Sequence, residues 1–511
     1  MFCDLSEERF NIASYAVDIC NIKHGRSDKI ALYYKEQKYT YGEVAEKINQ
    51  YSNYFLSCKI KIGQRVGIYL DDSPEFIFTL LGIMKSGGVP VLINPNFSQE
   101  NIDYVVDDSR MSWLLTSSKA EDVFSQKKYD FLERIFYMDL KKEKVDTMNI
   151  ECETAYTRKD DEAFIIYTSG SSGKPKGVIH LQHDMLICSE SYAKGILKIT
   201  EEDVNYCHSK LSYAFGLGGT IFLPFIAGAA SVINDSDDLC DIAEIMEKYK
   251  PTLFFAVPSI YNALLELNEV IEIPFESVRI CVSAGESLPK ALEEQIEKVF
   301  DVAVLQGIGS TETLFIAVSN TLAEHKYGSV GKAIPGYTVS ILDEEGRNAA
   351  PGVIGEMFIT GDSIMQGYCN NHAGTKAALF GEGFKTGDMC YMDEEGFVWF
   401  TGREKDSFKV NGSWVNALEI ENAIMEDEMV NEVIVSGEVS TNSLTYIAAY
   451  LTVKSKDYDE IIKRVKKKVK HKVGRSVCPS RFYIVEELKK GITGKLSRKD
   501  LKSNRVLYTT D

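Results

Sequence analysis

Ala163-Phe164-Ile165-Ile166-Tyr167-Thr168-Ser169-Gly170-Ser171-Ser172-Gly173-Lys174-Pro175-Lys176-Gly177 decides how the rest of this chain is read. The apolar run from Ala163 to Ile166 predicts a strand. The ten residues after Tyr167 carry three glycines, four hydroxyls and two lysines. Glycine lets successive backbone N–H groups turn toward an anion, hydroxyls donate or reach a metal, and lysines neutralise charge. The loop is therefore a candidate polyphosphate cradle. The spacing is not that of an ordinary phosphate loop: Lys174 is followed by Pro175, so no phosphate-capping helix starts there. Taken alone, the segment also fits a flexible Ser/Gly turn.

Outward from this loop the pattern alternates strand and helix. Arg65 to Leu70 predicts a strand, Pro74 to Lys85 a helix with Pro in its first turn, Gly87-Gly88 its stop, and Val89 to Ile93 the next strand. The alternation recurs with helices at Ile242 to Tyr249 and Ile260 to Leu267 and strands at Thr252 to Val257 and Val278 to Ser283. Parallel sheets covered by helices follow, with ligands expected at the strand ends. From about Gly328 to Phe400 short strands punctuated by turns, such as Asp343-Glu344-Glu345-Gly346, predict a β-rich subdomain. Beyond Lys405 come a helix at Leu418 to Glu426, strands at Val430 to Val435 and Thr445 to Val453, and a basic helix at Tyr458 to Val473. The expected class is α/β: a large N-terminal domain, residues 1–404, of helix-covered sheets plus the β-rich subdomain, and a small mobile α+β C-terminal domain, residues 405–511.

At 511 residues, 44% hydrophobic and 26% charged, the composition is that of a globular protein of several domains. A net charge of −18 opposes general binding to nucleic acid or anionic membranes. From Glu404 to Asp511, however, 20 Lys and Arg face 16 Asp and Glu, so the C-terminal part is locally basic. Eleven scattered cysteines without a C-x-x-C pair predict reduced thiols and a cytoplasmic setting. The first residues show no signal-peptide pattern. Tyr213 to Ile233 is uncharged and long enough to span a bilayer, but Gly216, Gly218, Gly219, Pro224 and Gly228 interrupt it. A buried helix leading into a buried strand is expected there, and no membrane association.

Four further clusters carry chemistry: Ser283-Ala284-Gly285-Glu286 after one predicted strand, Gly307-Ile308-Gly309-Ser310-Thr311-Glu312 after another at Val302 to Leu305, Lys385-Thr386-Gly387-Asp388, and Gly494-Lys495. Each alone is common in α/β proteins. In this order, with the Ser/Gly/Lys loop, they make the chain resemble the adenylate-forming superfamily of acyl-coenzyme A synthetases, aryl-acid ligases, adenylation domains and luciferases. The resemblance runs from Tyr41-Gly42-Glu43-Val44 to Lys495. It is nearest to benzoate and hydroxybenzoate coenzyme A ligases, through Lys210 to Gly218, Cys281 to Pro289, Gly307 to Thr313 and Lys409 to Val415.

The resemblance implies an ATP-dependent ligase that joins a small aryl carboxylate to AMP, releases pyrophosphate, and passes the acyl group to coenzyme A or to the phosphopantetheine arm of a carrier protein. In such an enzyme Thr168, Ser169, Gly170, Ser171, Ser172, Gly173 and Lys176 would cradle the departing phosphates. Thr311 and Glu312 offer hard oxygens to Mg²⁺, with Glu312 the metal ligand. Ala284, Gly285 and Glu286, with Gly307 and Ile308, would pack adenine, and Asp388 would accept the ribose hydroxyls with Arg403 nearby. Lys495 would bridge the acid and the α-phosphate. Lys405 takes the hinge position, Lys409 is implicated in the second step, and Gly412 and Trp414 would line the thiol channel. Tyr213, Ala214, Phe215, Gly216 and Phe315 would form the acyl pocket. Phe315 stands where benzoate ligases often have His, and Ser212 and Tyr213 stand where they often have two Phe, which leaves room for a hydroxylated or amino-substituted ring. The basic run Lys463, Arg464, Lys466, Lys467, Lys468, Lys470 and Lys472 fits either an anionic partner or a solvated helix face. A monomer or homodimer is expected. A non-catalytic acyl-binding scaffold is the alternative of a different class.

Overall fold

A computed structural model describes residues 9–125, 127–168, 174–236, 238–404, 408–410, 413–415, 417–439, 445–473, 477–489, 496, 498 and 501–510, without the side chains of 409, 413, 414 and 439. The chain divides into two compact units, one of residues 1–338 and 359–384, the other of 339–358 and 385–511.

The first unit holds two sheets. One has seven strands, in the order Gly367–Tyr368, Lys176–Leu181, Glu162–Thr168, Val89–Leu92, Arg65–Tyr69, Trp113–Thr116 and Arg134–Tyr137. The five from Glu162–Thr168 onward are parallel. The first two are antiparallel additions. The second sheet has nine strands, with a parallel centre through Ala303–Gly309, Ile280–Ser283, Leu253–Ala256, Val204–Cys207, Ala230–Ile233 and Ile30–Tyr34. Strands covered on both faces must be apolar along their whole length, and Leu253–Ala256, Ile280–Ser283 and Ala230–Ile233 are buried at every position.

Local signals set the helices. The Ser73 hydroxyl accepts the Phe76 N–H, Pro74 opens the helix, and the predicted span Pro74–Lys85 is the observed one. Thr40 and Glu43 form a reciprocal capping box for Tyr41–Ser57. The uncharged stretch after Tyr213 runs as the short helical segments Ala214–Leu217, Gly218–Phe222 and Leu223–Ala227, then the buried strand Ala230–Ile233. Among the described residues no helix is long and apolar enough to cross a membrane. Every described cysteine is free.

One local expectation is corrected. Gly307-Ile308-Gly309, read as a loop after the strand, is strand through Gly309, paired antiparallel with Ile316–Ser319. The glycines allow it. A Cβ on Gly309 would lie 2.1 Å from the Phe315 carbonyl oxygen, and one on Gly307 would lie 2.7 Å from Ile316 Cγ2, so larger residues would force this hairpin apart.

In the second unit Asp388 to Met392 pair antiparallel with Val398–Arg403, placing Asp388 opposite Arg403. A four-stranded sheet of Val430–Val439, Thr445–Val453, Arg481–Val485 and Val506–Thr509 carries helices Ala417–Met425 and Tyr458–Lys472. Ile420, Ile424, Val435, Leu451, Val465 and Phe482 join in its core. Three cations of the basic run are engaged on the surface by acidic neighbours: Arg464 Nε lies 2.9 Å from Asp427 Oδ2, and Lys468 and Lys472 reach Glu426. The division into units differs from the expected 1–404 and 405–511, and Lys405 lies outside the described residues.

Candidate active site

Thr168 ends its strand directly opposite Lys176, which begins the next, so the loop between them leaves and re-enters one antiparallel pair. Pro175 explains why: it bars a helix, and the chain returns as strand Lys176–Leu181. Ser169 to Gly173 lie outside the described residues. The Lys176 ammonium sits 4.5 Å from the centre of the Tyr368 ring. Lys174 sits 5.0 Å from that of Tyr104. Aromatic faces attract cations and hold long, flexible side chains in place.

Thr311 and Glu312 lie on a three-residue turn, Thr311–Thr313, closed by Ser310, whose hydroxyl accepts the Thr313 N–H while the Thr313 hydroxyl accepts the Ser310 N–H. All three carbonyls of this turn are held by distant residues. His180 Nε2 lies 2.7 Å from the Thr311 oxygen, the Met365 N–H donates to the Glu312 oxygen at 2.8 Å, and the Ser363 hydroxyl donates to the Thr313 oxygen at 2.9 Å. A carbonyl only accepts, so Nε2 of His180 carries a hydrogen. Nδ1 of the same ring lies 2.7 Å from Asp184 Oδ2, which also accepts the Leu181 N–H at 3.0 Å. The side chains of His180 and Asp184 are fully buried. The Glu312 carboxylate accepts a hydrogen bond from the Tyr368 hydroxyl at 2.7 Å. Lys176, Tyr368 and Glu312 therefore form one chain of contacts.

The donor set suits Mg²⁺. Glu312 and Thr311 offer hard oxygens, the ligand type Mg²⁺ takes alongside phosphate oxygens and water.

Tyr213, Ala214, Phe215 and Gly216 lie where the strand Val204–Cys207 gives way to the helix Ala214–Leu217. The Phe215 ring stacks on Phe315 with centroids 5.6 Å apart, and Tyr192 packs against Phe315 at the same separation. Gly218 faces that ring: a Cβ there would lie 2.6 Å from Phe315. Gly216 packs against backbone, with a Cβ position 2.1 Å from the Lys210 oxygen. The Tyr213 hydroxyl accepts from the Asn94 side chain at 2.5 Å, and burial pushes the phenol above its ordinary value. Burial pushes the nearby thiols of Cys188 and Cys207 up to about 12, so both are protonated at neutral pH and poor nucleophiles.

Ala284 is buried and Gly285 is left-handed at φ 86°, a conformation that favours glycine. Glu286 accepts the Ser259 N–H at 3.1 Å, at the start of helix Pro258–Asn268. In the second unit Arg403 Nε lies 2.8 Å from Asp388 Oδ1, and the Asp388 side chain is only 3% exposed. Lys495, Lys405 and Gly412 lie outside the described residues; Lys409 and Trp414 are described only as paired backbone in a short hairpin. His180, Asp184, Tyr368 and Asn94 were not singled out from sequence. His180 and Asp184 follow the Lys-containing loop at a spacing of four, a weak signal. Tyr368 has no sequence signal, because only the fold brings it to Glu312.

Residues 22–369 match the AMP-binding enzyme family, and residues 419–495 match the AMP-binding enzyme C-terminal domain. The chain belongs to the AMP-binding enzyme family. It is an acid–thiol ligase. It is 32% identical to the benzoate–CoA ligase of Thauera aromatica, over 97% of this chain and 96% of that one. It is 30% identical to the 4-hydroxybenzoate–CoA/benzoate–CoA ligase of Rhodopseudomonas palustris, over 94% of this chain and 91% of that one. Among solved structures, the anthranilate CoA ligase AuaEII in complex with anthranoyl-AMP is similar with a TM-score of 0.91, at 28% identity and with 98% of each chain covered.

Proposed function

We propose that this chain activates a benzoate-like acid with ATP and transfers the aroyl group to coenzyme A. The observation that carries the reading is the pinned turn: the Glu312 carboxylate, fixed through its own oxygen and through the carbonyls around it, linked by Tyr368 to Lys176 at the foot of the Ser/Gly loop. The relatives named above as benzoate and hydroxybenzoate CoA ligases support an aryl acid and coenzyme A over a carrier-bound arm.

Two anions must meet for this reaction, so the residues have to neutralise and align them. A carboxylate oxygen bonds to the α-phosphorus of ATP as the bond to the bridging oxygen breaks and pyrophosphate leaves. Thr168 to Gly173 and Lys176 hold the departing phosphates, and Lys495 holds the acid and the α-phosphate. Thr311 and Glu312 would hold Mg²⁺, which when bound supplies charge neutralisation on the phosphates. Asp388, with Arg403, accepts the ribose hydroxyls. The aryl ring lies in the pocket of Tyr213, Ala214, Phe215, Gly216 and Phe315, where flat aromatic walls favour a flat ring. In the second step the thiol sulfur bonds to the acyl carbon and AMP leaves. Lys405 is the hinge on which residues 405–511 turn between the steps, bringing Lys409, Gly412 and Trp414 to the thiol's path.

A pyrophosphate-release screen of benzoate, hydroxybenzoates, aminobenzoates and cinnamates, with and without coenzyme A, tests the reading. Release with at least one aryl acid and aroyl-thioester formation with coenzyme A are expected. Silence toward every aryl acid would favour the non-catalytic scaffold.

A further inference from the structure

Tyr368 lies 56 residues from Glu312 in sequence, yet its hydroxyl reaches Oε1 of that carboxylate at 2.7 Å. Its ring, in the same pose, carries the Lys176 ammonium 4.5 Å from its centre. The residue is held on several sides. Strand Gly367–Tyr368 pairs with Lys176–Leu181, with Tyr368 opposite Val178, and the Tyr368 N–H donates to the Thr375 hydroxyl at 2.9 Å. Three residues earlier, the Met365 N–H holds the carbonyl of Glu312 itself. One segment thus grips both the backbone and the side chain of the acidic residue.

A phenol facing a carboxylate donates its proton. That proton fixes which oxygen turns toward the tyrosine and leaves Oε2 for a cation. It also fixes the distance between the carboxylate and the lysine, since both rest on one rigid ring. A carboxylate free to rotate would lose conformational entropy each time it met a cation; one already oriented would not.

We propose that Tyr368 is a positioning residue that presets Glu312 for the metal–nucleotide complex and holds Lys176 in register with it. The inference rests on the reading of Glu312 as the metal's carboxylate. Tyr368→Phe separates the parts: the ring remains for Lys176 and for packing, and only the proton to Glu312 is lost. Binding of Mn²⁺ with a non-hydrolysable ATP analogue, followed by the free-Mn²⁺ electron paramagnetic resonance signal, should weaken about tenfold in Tyr368→Phe. The thermal midpoint and the KM for the aryl acid should stay near wild type. Glu312→Gln should weaken binding at least as much. If Glu312→Gln weakens binding and Tyr368→Phe does not, Tyr368 only packs and the inference is overturned. If Glu312→Gln binds as wild type, Glu312 is not the metal's carboxylate, and the reading beneath the inference fails first. A binding loss in Tyr368→Phe matched by an equal loss of thermal stability would mark a structural role and overturn the inference too.

Discussion

The imidazole of His180 holds the carbonyl of Thr311, 131 residues away, at 2.7 Å. The other side of the ring is held by Asp184, and both side chains are fully buried. The strand Lys176–Leu181 is thereby tied to the turn that carries Glu312. Removing the ring leaves the buried Asp184 carboxylate with only the Leu181 N–H on Oδ2 and the His183 ring 3.3 Å from Oδ1. His180→Ala should cost about 2 kcal/mol of stability, the scale of leaving buried groups short of a hydrogen bond. It should also slow pyrophosphate exchange at least tenfold at a temperature where the variant is folded. Chemical denaturation and exchange kinetics check the two parts, and full exchange activity would show that the tie has no bearing on the site.

Gly218 and Phe315 are in close contact. A methyl group at Gly218 would lie 2.6 Å from the Phe315 ring, well inside van der Waals contact. If Phe315 lines the proposed aryl pocket, Gly218→Ala should displace its ring and raise the KM for the acid about tenfold, consistent with overpacking of about 1–3 kcal/mol. Adding Phe315→Leu should recover part of the loss. Additive losses in the double variant would show that the two positions do not share the pocket wall.

Lys495→Ala should abolish formation of the acyl adenylate yet leave thioester formation from supplied aroyl-AMP largely intact. Lys409→Ala should slow the second step more than the first. Single-turnover assays of each half-reaction check this. Equal loss of both half-reactions in Lys495→Ala would contradict the two-pose mechanism.

A pH-dependent contact also joins Glu293 to His325. The side chain of Glu293 is fully buried, with His325 Nε2 at 2.8 Å and the Gly328 N–H at 2.9 Å. Its hydrogen bond to Glu293 raises His325 above the ordinary value of 6.5, against the opposing effect of burial; Glu297 adds to the rise. The folded state thus holds the histidine proton more tightly than the unfolded chain. This stabilisation is held just below pH 6.5, is lost as pH rises through the folded-state value, and weakens again in acid, where burial has raised Glu293 and the pair loses its carboxylate. The melting temperature should fall as pH rises through the His325 value. His325→Gln should flatten the dependence, and an unchanged slope in that variant would exclude the contact as its source.

Much of the fold was legible because its signals are local. Pro74 and Ser73 mark a helix start, and the apolar runs at Leu253–Ala256 and Ile280–Ser283 mark buried parallel strands. The Gly307-Ile308-Gly309 stretch was misread because glycine signals a turn on its own. Only the neighbouring strand Ile316–Ser319 reveals that the glycines serve close approach. The candidate chemistry of Thr311 and Glu312 was readable from residue type. The groups that hold them were not, since His180, Ser363, Met365 and Tyr368 meet that turn only through long-range pairing.

The central claim is that an aryl carboxylate oxygen attacks the α-phosphorus of ATP. Benzoate, or whichever aryl acid the screen selects, labelled with ¹⁸O in both carboxylate oxygens, tests it directly when incubated with the enzyme, ATP, Mg²⁺ and coenzyme A. Mass spectrometry of the products should find one ¹⁸O in AMP, one in the aroyl thioester and none in pyrophosphate. Label in pyrophosphate or orthophosphate, or thioester formed with unlabelled AMP, would contradict the account.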